Sequence, residues 1–265
     1  MTFFEQLSNR INSIDSILCV GLDSDPAKIP THLQEEDLPQ WSFNRRIIDA
    51  THQYAAAYKP NLAFYETEFG WKSLVETIAY SRGKGIPVIL DAKRADIGNT
   101  ARHYAKLLDM ADAITVNPYM GLDSLSPFLS RTKAGIFVLC KTSNSGGSDI
   151  QNLILSTGIP LYEHVAKLAN EWNENNNVGL VVGATHPDEL QRLRDITPDL
   201  PFLVPGIGNQ KGDLESAAKN CLSSQGAGLV SSSRNILFAG EEKSFDKAAG
   251  EAAKRSRNAL NVFRN

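Results

Sequence analysis

The chain has 265 residues, of which 42% are hydrophobic and 22% are charged, and its formal net charge is −3. This composition is typical of a soluble globular protein and argues against intrinsic disorder, and it provides no basic surplus for binding nucleic acid or a membrane surface. The N-terminus lacks the basic and apolar segments of a signal peptide, and no apolar run approaches the roughly 20 residues that a membrane span needs.

Eight short apolar runs follow one another along the chain and predict buried strands. The runs cover residues 16–23, 56–64, 86–91, 113–117, 135–141, 178–184, 201–206 and 228–233. Because they are almost continuously apolar, we expect parallel strands that are covered on both faces rather than half-exposed antiparallel strands.

Stretches with helical spacing and a charged face lie between these runs. The clearest cover residues 41–55, 70–85, 100–110, 161–176 and 186–196. Eight alternating strand and helix units in a chain of this length predict the α/β class and a single (β/α)8 TIM barrel. Since no linker or low-complexity tract divides the chain, we expect one domain over residues 1–265.

One connection is too long for a simple helical return, because 36 residues separate Lys141 from Val178. Its first part, residues 142–158, is rich in Ser, Gly and Asn. This composition predicts a mobile loop over the mouth of the barrel.

The three cysteines, Cys19, Cys140 and Cys221, are widely spaced and odd in number, and none belongs to a CxxC pair. This pattern predicts reduced, mostly buried thiols in a cytoplasmic protein.

In a barrel of this type the chemistry collects at the carboxyl ends of the strands. Nearly every predicted strand of this chain ends in a polar or charged group. These groups are Asp23, Lys59 with Asn61, Asp91 with Lys93, Asn117, residues 141–143, residues 183–185, residues 205–213, and Ser233 with Arg234. Ordinary loop starts are also polar, but they rarely carry a lysine on the strand itself, so a shared site is favoured.

The stretch LDAKRADIGNT, residues 90–100, has the highest charge density of these ends. Alternate side chains of an extended segment share a face, so we expect Asp91 and Lys93 to point together toward the mouth and Arg94 to point away. Asp96 lies beyond the strand, where it could fold back or reach a neighbouring subunit. A simple salt bridge between Asp and Lys at the barrel rim would also explain this cluster of charges. Because Lys59 from the adjacent strand adds a second lysine, that explanation is less favoured.

Two lysines and two carboxylates that alternate around one point suit a reaction in which negative charge moves. Loss of CO2 from a carbon with no adjacent electron sink leaves a localised carbanion, which a fixed ammonium can stabilise and then protonate. A carboxylate near the departing group would disfavour the bound ground state. Such an array would dispense with pyridoxal phosphate, thiamine and metal, and the sequence has no Walker A, HExxH or GxSxG motif and no metal-ligand spacing.

The last two strand ends predict a phosphate site. The segment PGIGNQKGD, residues 205–213, offers backbone N–H groups in a glycine-bearing turn, and Arg234 begins a predicted short helix. Barrels often hold phosphate at the ends of strands 7 and 8. A purely structural glycine turn is the alternative.

Six segments, in this order along the chain, resemble the orotidine 5′-phosphate decarboxylase family in its second (type 2), mainly bacterial subgroup. They are GLDSDP (21–26), YKPNLAFYE (58–66), VILDAKRADIGNTA (88–101), VGATHPDEL (182–190), PGIGNQKGD (205–213) and SSSR (231–234). The resemblance implies cofactor-independent decarboxylation of orotidine 5′-monophosphate to UMP and CO2, in a homodimer with shared sites.

The resemblance also implies roles for individual residues. Lys93 would protonate C6, Asp91 would face the substrate carboxylate, and Lys59 would bridge the array. Asp96, with Ile97 and Thr100, would serve the neighbouring subunit's site. The substrate-binding residues would be Asp23 for the ribose, Ser143 for the pyrimidine, and Gln210 and Arg234 for the 5′-phosphate, and we add Asn61 from its strand end.

Two points of this assignment stay open. Relatives commonly have small residues where this chain has Asn209 and Lys211, which leaves the conformation of the phosphate turn open. Thr142 and Ser145 lie close enough in sequence to compete with Ser143 for the pyrimidine.

Two other functions compete with the decarboxylase. A related barrel, such as a 3-keto-gulonate phosphate decarboxylase or a hexulose phosphate synthase, would use Mg²⁺ and needs an acidic ligand near the end of strand 2. This chain has Lys59, Pro60 and Asn61 there, and Glu66 is the nearest acid downstream. A binding barrel without chemistry is the other alternative, but all four members of the charged tetrad are present.

Overall fold

The computed structural model describes residues 1–185, 187–207 and 213–264 and contains a nearly closed barrel of parallel strands. The strands are β1 Leu18–Gly21, β2 Ala57–Lys59, β3 Ile89–Arg94, β4 Ala113–Val116, β5 Gly135–Lys141, β6 Val178–Val182, β7 Phe202–Val204 and β8 Leu229–Ser232. Their order in the sheet is β2-β1-β8-β7-β6-β5-β4-β3. Isolated bridges from Tyr58 to Val88 and from Asn61 to Asp91 join the two remaining edges, so the predicted TIM barrel is confirmed.

Helices lie between the strands, as the alternating pattern predicted. They are α1 Phe3–Ile14, α2 Pro39–Thr51, α3 Glu68–Gly83, α4 Gly98–Ala105, α5 Leu122–Leu129, α6 Ser148–Gln151, α7 Leu161–Glu171, α8 Pro187–Ile196, α9 Leu214–Asn220, α10 Arg234–Leu237 and α11 Phe245–Arg264. The five predicted helices are confirmed with shifted ends, and His186 lies outside the described residues. Among those residues, no helix combines the length and apolar character that crossing a membrane requires.

Helix α1 packs on the amino end of the barrel. Thr2 and Glu5 form a capping box that starts the helix, and the ring of Phe3 lies edge-on to that of Phe137 with centroids 6.0 Å apart. A Cβ atom on Gly135, at the start of β5, would lie 2.3 Å from the Phe3 ring, so this position requires glycine. Because α1 covers the amino end of the barrel, the carboxyl end is the one left open for a site.

Strand β2 is shorter than predicted, because the apolar run over 56–64 stops being a strand after Lys59. Pro60 has no N–H to donate to a ladder, and the Asn61 side chain accepts a hydrogen bond of 3.2 Å from the Ala63 N–H. This contact caps a 3-10 turn over Leu62–Phe64, which carries the chain away from the barrel.

The segment over 142–158, predicted as a mobile loop over the mouth, has regular secondary structure in its central part. A 3-10 turn over Ser145–Gly147 leads directly into α6. Gln151 ties α6 to the end of β5, because its side chain accepts from the Thr142 N–H at 3.0 Å and donates to the Thr142 hydroxyl at 2.8 Å. Side-chain hydrogen bonds from Gln151 thus attach the segment after β5 to the end of that strand.

Candidate active site

Three members of the predicted charged tetrad meet at the carboxyl ends of β2 and β3. Lys59 Nζ lies 2.7 Å from Asp91 Oδ2, and the Lys93 ammonium contacts the other carboxylate oxygen, Oδ1. Lys59 is only 5% exposed, whereas the Lys93 side chain is about half exposed. The carboxylate is therefore held between a buried cation and an accessible one.

The shared face of Asp91 and Lys93 does not come from the regular alternation that we predicted. Lys93 has a φ of 49°, in the left-handed region, and the register of β3 against β4 shifts between Leu90 and Arg94. Arg94 does leave the array, since its guanidinium pairs with Glu66 and lies 5.2 Å from the centre of the Tyr104 ring. The prediction that Asp91 and Lys93 point together is confirmed, but a bulge in β3 produces this contact instead of regular alternation.

The charges of the array stabilise one another. Burial acts to lower the pKa of Lys59, but the carboxylates of Asp91 and Asp23 outweigh it and hold this pKa above its ordinary value. Burial likewise acts to raise the pKa of Asp91, but Lys59 and Lys93 hold that pKa well below its ordinary value. Lys59 is therefore protonated and Asp91 ionised at neutral pH.

Two cavities open on this array and share several lining residues. The first is lined by Asp23, Lys59, Asp91, Ser143, Pro205, Gly206, Ile207, residues 231–233, Arg234 and Asn235. The second is lined by Lys59, Asp91, Lys93, Thr115, Leu139, residues 142–144, Val181, Leu203 and Pro205. A ligand can therefore reach the array and the ends of β7 and β8 together.

Asp23, just beyond β1, lines the first cavity. Its Oδ1 atom is buried and has no hydrogen-bond partner among the described residues. Because a carboxylate is a strong acceptor and Asp23 lines the cavity, its side chain is suited to accept hydrogen bonds from a ligand's hydroxyl groups.

The ends of β7 and β8 form the second half of the site. Arg234 starts α10 and lines the first cavity, and Gly206 follows β7 with a φ of 101°, a conformation that favours glycine. A Cβ on Gly21 would lie 1.9 Å from the Ser233 Oγ atom, so glycine lets β1 and the end of β8 approach closely. The predicted phosphate ligand Gln210, with Asn209 and Lys211, lies outside the described residues.

Among the hydroxyl residues at the end of β5, Ser143 has the best position. It lines both cavities, whereas the Thr142 hydroxyl bonds to Asn144 and Gln151, and Ser145 belongs to the 3-10 turn. Of the three, Ser143 is the residue that lines both cavities, and its contact with a ligand's polar ring stays a prediction.

Asn61 has a local structural role. Its side-chain oxygen caps the turn over Leu62–Phe64, and its backbone bridges to Asp91 at the rim. It therefore positions the β2 end next to the array, and contact with a ligand stays a prediction.

The fourth member of the tetrad does not join the array within one chain. In the described part of the chain, Asp96 has no ion pair with Lys59 or Lys93, and its side chain accepts a hydrogen bond of 2.8 Å from the Ile97 N–H. Ile97 is 53% exposed, and Thr100 is also exposed at the start of α4. The predicted triple Asp96, Ile97 and Thr100 thus lies on an accessible surface beside the site.

Sequence reasoning missed Thr115 on β4. Its hydroxyl donates to Asp91 Oδ1 at 3.1 Å and accepts hydrogen bonds from the N–H groups of Ala92 and Lys93, each 3.0 Å long. The only signal in the sequence is one polar residue inside the run AITVN, residues 113–117, and β-branched threonine is common in strands.

The acidic residues do not form a metal centre in the described residues. Over residues 1–185, 187–207 and 213–264, no cluster of three or more His, Cys, Asp or Glu side chains is placed to hold a metal ion. Glu66, the acid nearest the end of β2, pairs with Arg94. The Mg²⁺-dependent alternative needs an acidic ligand near the end of β2, and Glu66 is instead bound to Arg94.

Comparison with known proteins places this site in a family. Residues 16–248 match the model of the orotidine 5′-phosphate decarboxylase / HUMPS family. The orotidine 5′-phosphate decarboxylase of Halorubrum lacusprofundi is 59% identical over 276 residues, with all of both chains covered. That of Cupriavidus metallidurans is 47% identical and covers all of this chain and 99% of its own. The solved OMP decarboxylase of Leishmania donovani superposes with a TM-score of 0.84 at 42% identity, covering 100% of this chain and 99% of its own.

Proposed function

The chain belongs to the orotidine 5′-phosphate decarboxylase / HUMPS family, and on this premise we propose how its site performs the decarboxylation. The enzyme converts orotidine 5′-monophosphate to UMP and CO2 in pyrimidine biosynthesis. The observation that carries the assignment of residues is the array of Lys59, Asp91 and Lys93 at the barrel mouth, with Asp91 between the two cations.

In the proposed reaction the bond between C6 and the carboxylate carbon breaks, CO2 departs, and the electron pair remains on C6. The Lys93 ammonium stabilises this carbanion and then donates a proton to it, so that neutral Lys93 recovers its proton from solvent. The Asp91 carboxylate faces the substrate carboxylate and disfavours the bound ground state relative to the transition state. Lys59 holds Asp91 from the buried side. No metal or organic cofactor takes part.

Substrate binding uses the remaining groups around the mouth. The Asp23 carboxylate accepts hydrogen bonds from the ribose hydroxyls, and Ser143 contacts the pyrimidine; both residues line the first cavity. Gln210 and Arg234 bind the 5′-phosphate, and Asn61 at the β2 end also contacts the substrate. Of these residues, Asp23, Ser143 and Arg234 line the first cavity, which extends from the array to α10.

We also propose a homodimer in which Asp96, Ile97 and Thr100 complete the partner's site. The accessibility of Ile97 and the separation of Asp96 from its own chain's array support this arrangement. One domain over residues 1–265 is supported by the single core that α1 and α11 share with the barrel. A cytoplasmic location is supported by three buried cysteines without a disulfide.

The function is tested by adding the purified chain to orotidine 5′-monophosphate in excess EDTA and following the loss of orotate absorbance. We expect turnover with EDTA present. Absence of turnover by the folded dimer would contradict the proposal. Lys93→Ala should lower kcat by about 10⁴-fold or more, because proton donation and carbanion stabilisation are both lost, while UMP binding is largely retained.

The shared site is tested by mixing two inactive variants, Lys93→Ala and Asp96→Ala. Each heterodimer has one site with an intact Lys93 from one chain and an intact Asp96 from the other. Random exchange of subunits should therefore restore about a quarter of the parent activity, since half of the dimers are mixed and half of their sites are intact. A mixture that stays inactive after verified exchange of subunits would show that each chain uses its own Asp96.

A further inference from the structure

The conformation at Lys93 needs an explanation, because a lysine inside a strand does not ordinarily adopt a positive φ. In the β3–β4 ladder, Leu90 pairs with Ile114 and Arg94 pairs with Val116. Three residues of β3, 91–93, therefore stand opposite the single residue Thr115. The excess residues form a bulge, and the bulge turns Lys93 back toward Asp91.

A bulge of this kind leaves backbone groups without ladder partners. At this bulge the N–H groups of Ala92 and Lys93 both donate to the Thr115 hydroxyl oxygen, at 3.0 Å each. The same hydroxyl has one proton, which it donates to Asp91 Oδ1 at 3.1 Å. Thr115 is 1% exposed, so its hydroxyl makes these three bonds away from bulk solvent.

We propose that Thr115 is a positioning residue for the decarboxylation, whose hydroxyl holds the left-handed bulge at Lys93 and orients the Asp91 carboxylate toward it. This inference rests on the proposed function. Thr115 acts through Asp91 and Lys93, because its hydroxyl is fully used by the bulge: two bonds accepted and one donated.

Arg94 is the residue that follows the bulge. Its ion pair with Glu66 and its contact with the Tyr104 ring keep the Arg94 side chain on the face of β3 opposite to the array. The two anchors differ in what they fix. Arg94 holds the exit of the bulge, whereas Thr115 contacts its centre and the carboxylate. Loss of the Thr115 hydroxyl should therefore disturb the reacting groups and leave the phosphate and ribose contacts in place.

The test compares Thr115→Val, which replaces the hydroxyl by a methyl group of similar size, with Thr115→Ser, which keeps the hydroxyl. We expect Thr115→Val to lower kcat by about 10- to 100-fold, the effect of a small misplacement of catalytic groups, with KM within about 3-fold of the parent. Thr115→Ser should retain kcat within about 3-fold. Exchange of the C6 proton of UMP for solvent deuterium, followed by NMR, should slow in parallel because it needs the same Lys93.

Thr197→Val is the matched control. Thr197 is also fully buried, and its hydroxyl donates to the Leu193 carbonyl at 2.7 Å in α8, away from the site. It should cost some stability but leave kcat within about 2-fold of the parent. If Thr115→Val does not fold, Thr115→Ala, which also lacks the hydroxyl, takes its place.

Two results would overturn the assignment: a Thr115→Val enzyme with parental kcat, or a Thr115→Ser enzyme as slow as Thr115→Val, which would make the methyl group decisive. An inactive parent chain would instead overturn the proposed function itself. The two failures are thus distinguishable in one series of measurements.

Discussion

Strands β2 and β5 both end in a buried lysine, but the two lysines have different surroundings. Lys59 is 5% exposed and Lys141 is 1% exposed. Lys59 lies 2.7 Å from the Asp91 carboxylate at the barrel mouth. Among the described residues, Lys141 instead donates to the neutral Asn152 side chain and lies 5.1 Å from the centre of the Tyr162 ring.

The difference teaches that a lysine at a strand end does not by itself indicate catalysis. Lys59 belongs to an array in which each charge stabilises its neighbour, so its position serves the reaction. Lys141 fastens the segment after β5 to the barrel, because Asn152 directly follows α6 and Tyr162 lies in α7. Replacement of each lysine by methionine, which keeps the length but removes the charge, separates the two roles.

Of the two methionine replacements, Lys59→Met should have the larger effect. Among the described residues it leaves the nearly buried Asp91 carboxylate with only the more exposed Lys93 as a cationic partner, and breaking a buried pair in this way costs about 3–5 kcal/mol of stability. We also expect kcat/KM to fall by about 10³-fold, because the orientation of Asp91 and Lys93 is lost. Urea unfolding and steady-state kinetics measure the two effects, and a variant with near-parental values of both would remove Lys59 from the array.

Asp91→Asn tests the same array through pH. The pKa of Asp91 is held below its ordinary value, so its ion pairs stabilise the folded state above the unfolded pKa near 3.9, and this stabilisation is lost as the pH falls through the folded pKa. Asparagine does not titrate. The difference in free energy of unfolding between parent and variant should therefore be constant above about pH 5 and shrink below about pH 4.

The measurement for Asp91→Asn is urea unfolding followed by tryptophan fluorescence between pH 3 and pH 7. Asp109→Asn is a suitable control, because Asp109 forms a surface pair with Arg131, far more exposed than that of Asp91. The free energy of unfolding of Asp109→Asn should differ little from that of the parent at every pH in this range. A difference for Asp91→Asn that does not vary with pH would contradict the proposed strength of the pairing.

The fold was predictable because it depends on a pattern that is local in sequence. The apolar runs and the helical stretches between them indicated the barrel, but the run over 56–64 could not reveal that the strand ends at Lys59, since Pro60 and the Asn61 cap end it. Helices α1 and α11 were not predicted, because they lie outside the alternation and pack on it through contacts distant in sequence.

The site was predictable only in part for the same reason. Periodicity predicted that Asp91 and Lys93 share a face, but the bulge that joins them depends on Thr115, which is 22 residues further along the chain than Lys93. A single threonine in an apolar run does not indicate that its hydroxyl accepts hydrogen bonds from two backbone N–H groups of another strand. The assignment of Asp96 to the partner's site came from family resemblance, since no periodicity distinguishes one subunit from another.

Lys141→Met should have the smallest effect of the three replacements. Burial of an ammonium without a carboxylate costs free energy, which the Tyr162 ring and one hydrogen bond to Asn152 offset. Methionine removes this cost and packs favourably against an aromatic ring, while it loses the hydrogen bond and the contact of a cation with the ring, so stability should change by less than about 1 kcal/mol. We expect kcat to stay within about 5-fold of the parent, since Gln151 still ties α6 to Thr142. Urea unfolding measured beside Lys59→Met decides the comparison: equal losses of stability would mean that neutral partners hold a buried lysine as firmly as a carboxylate does.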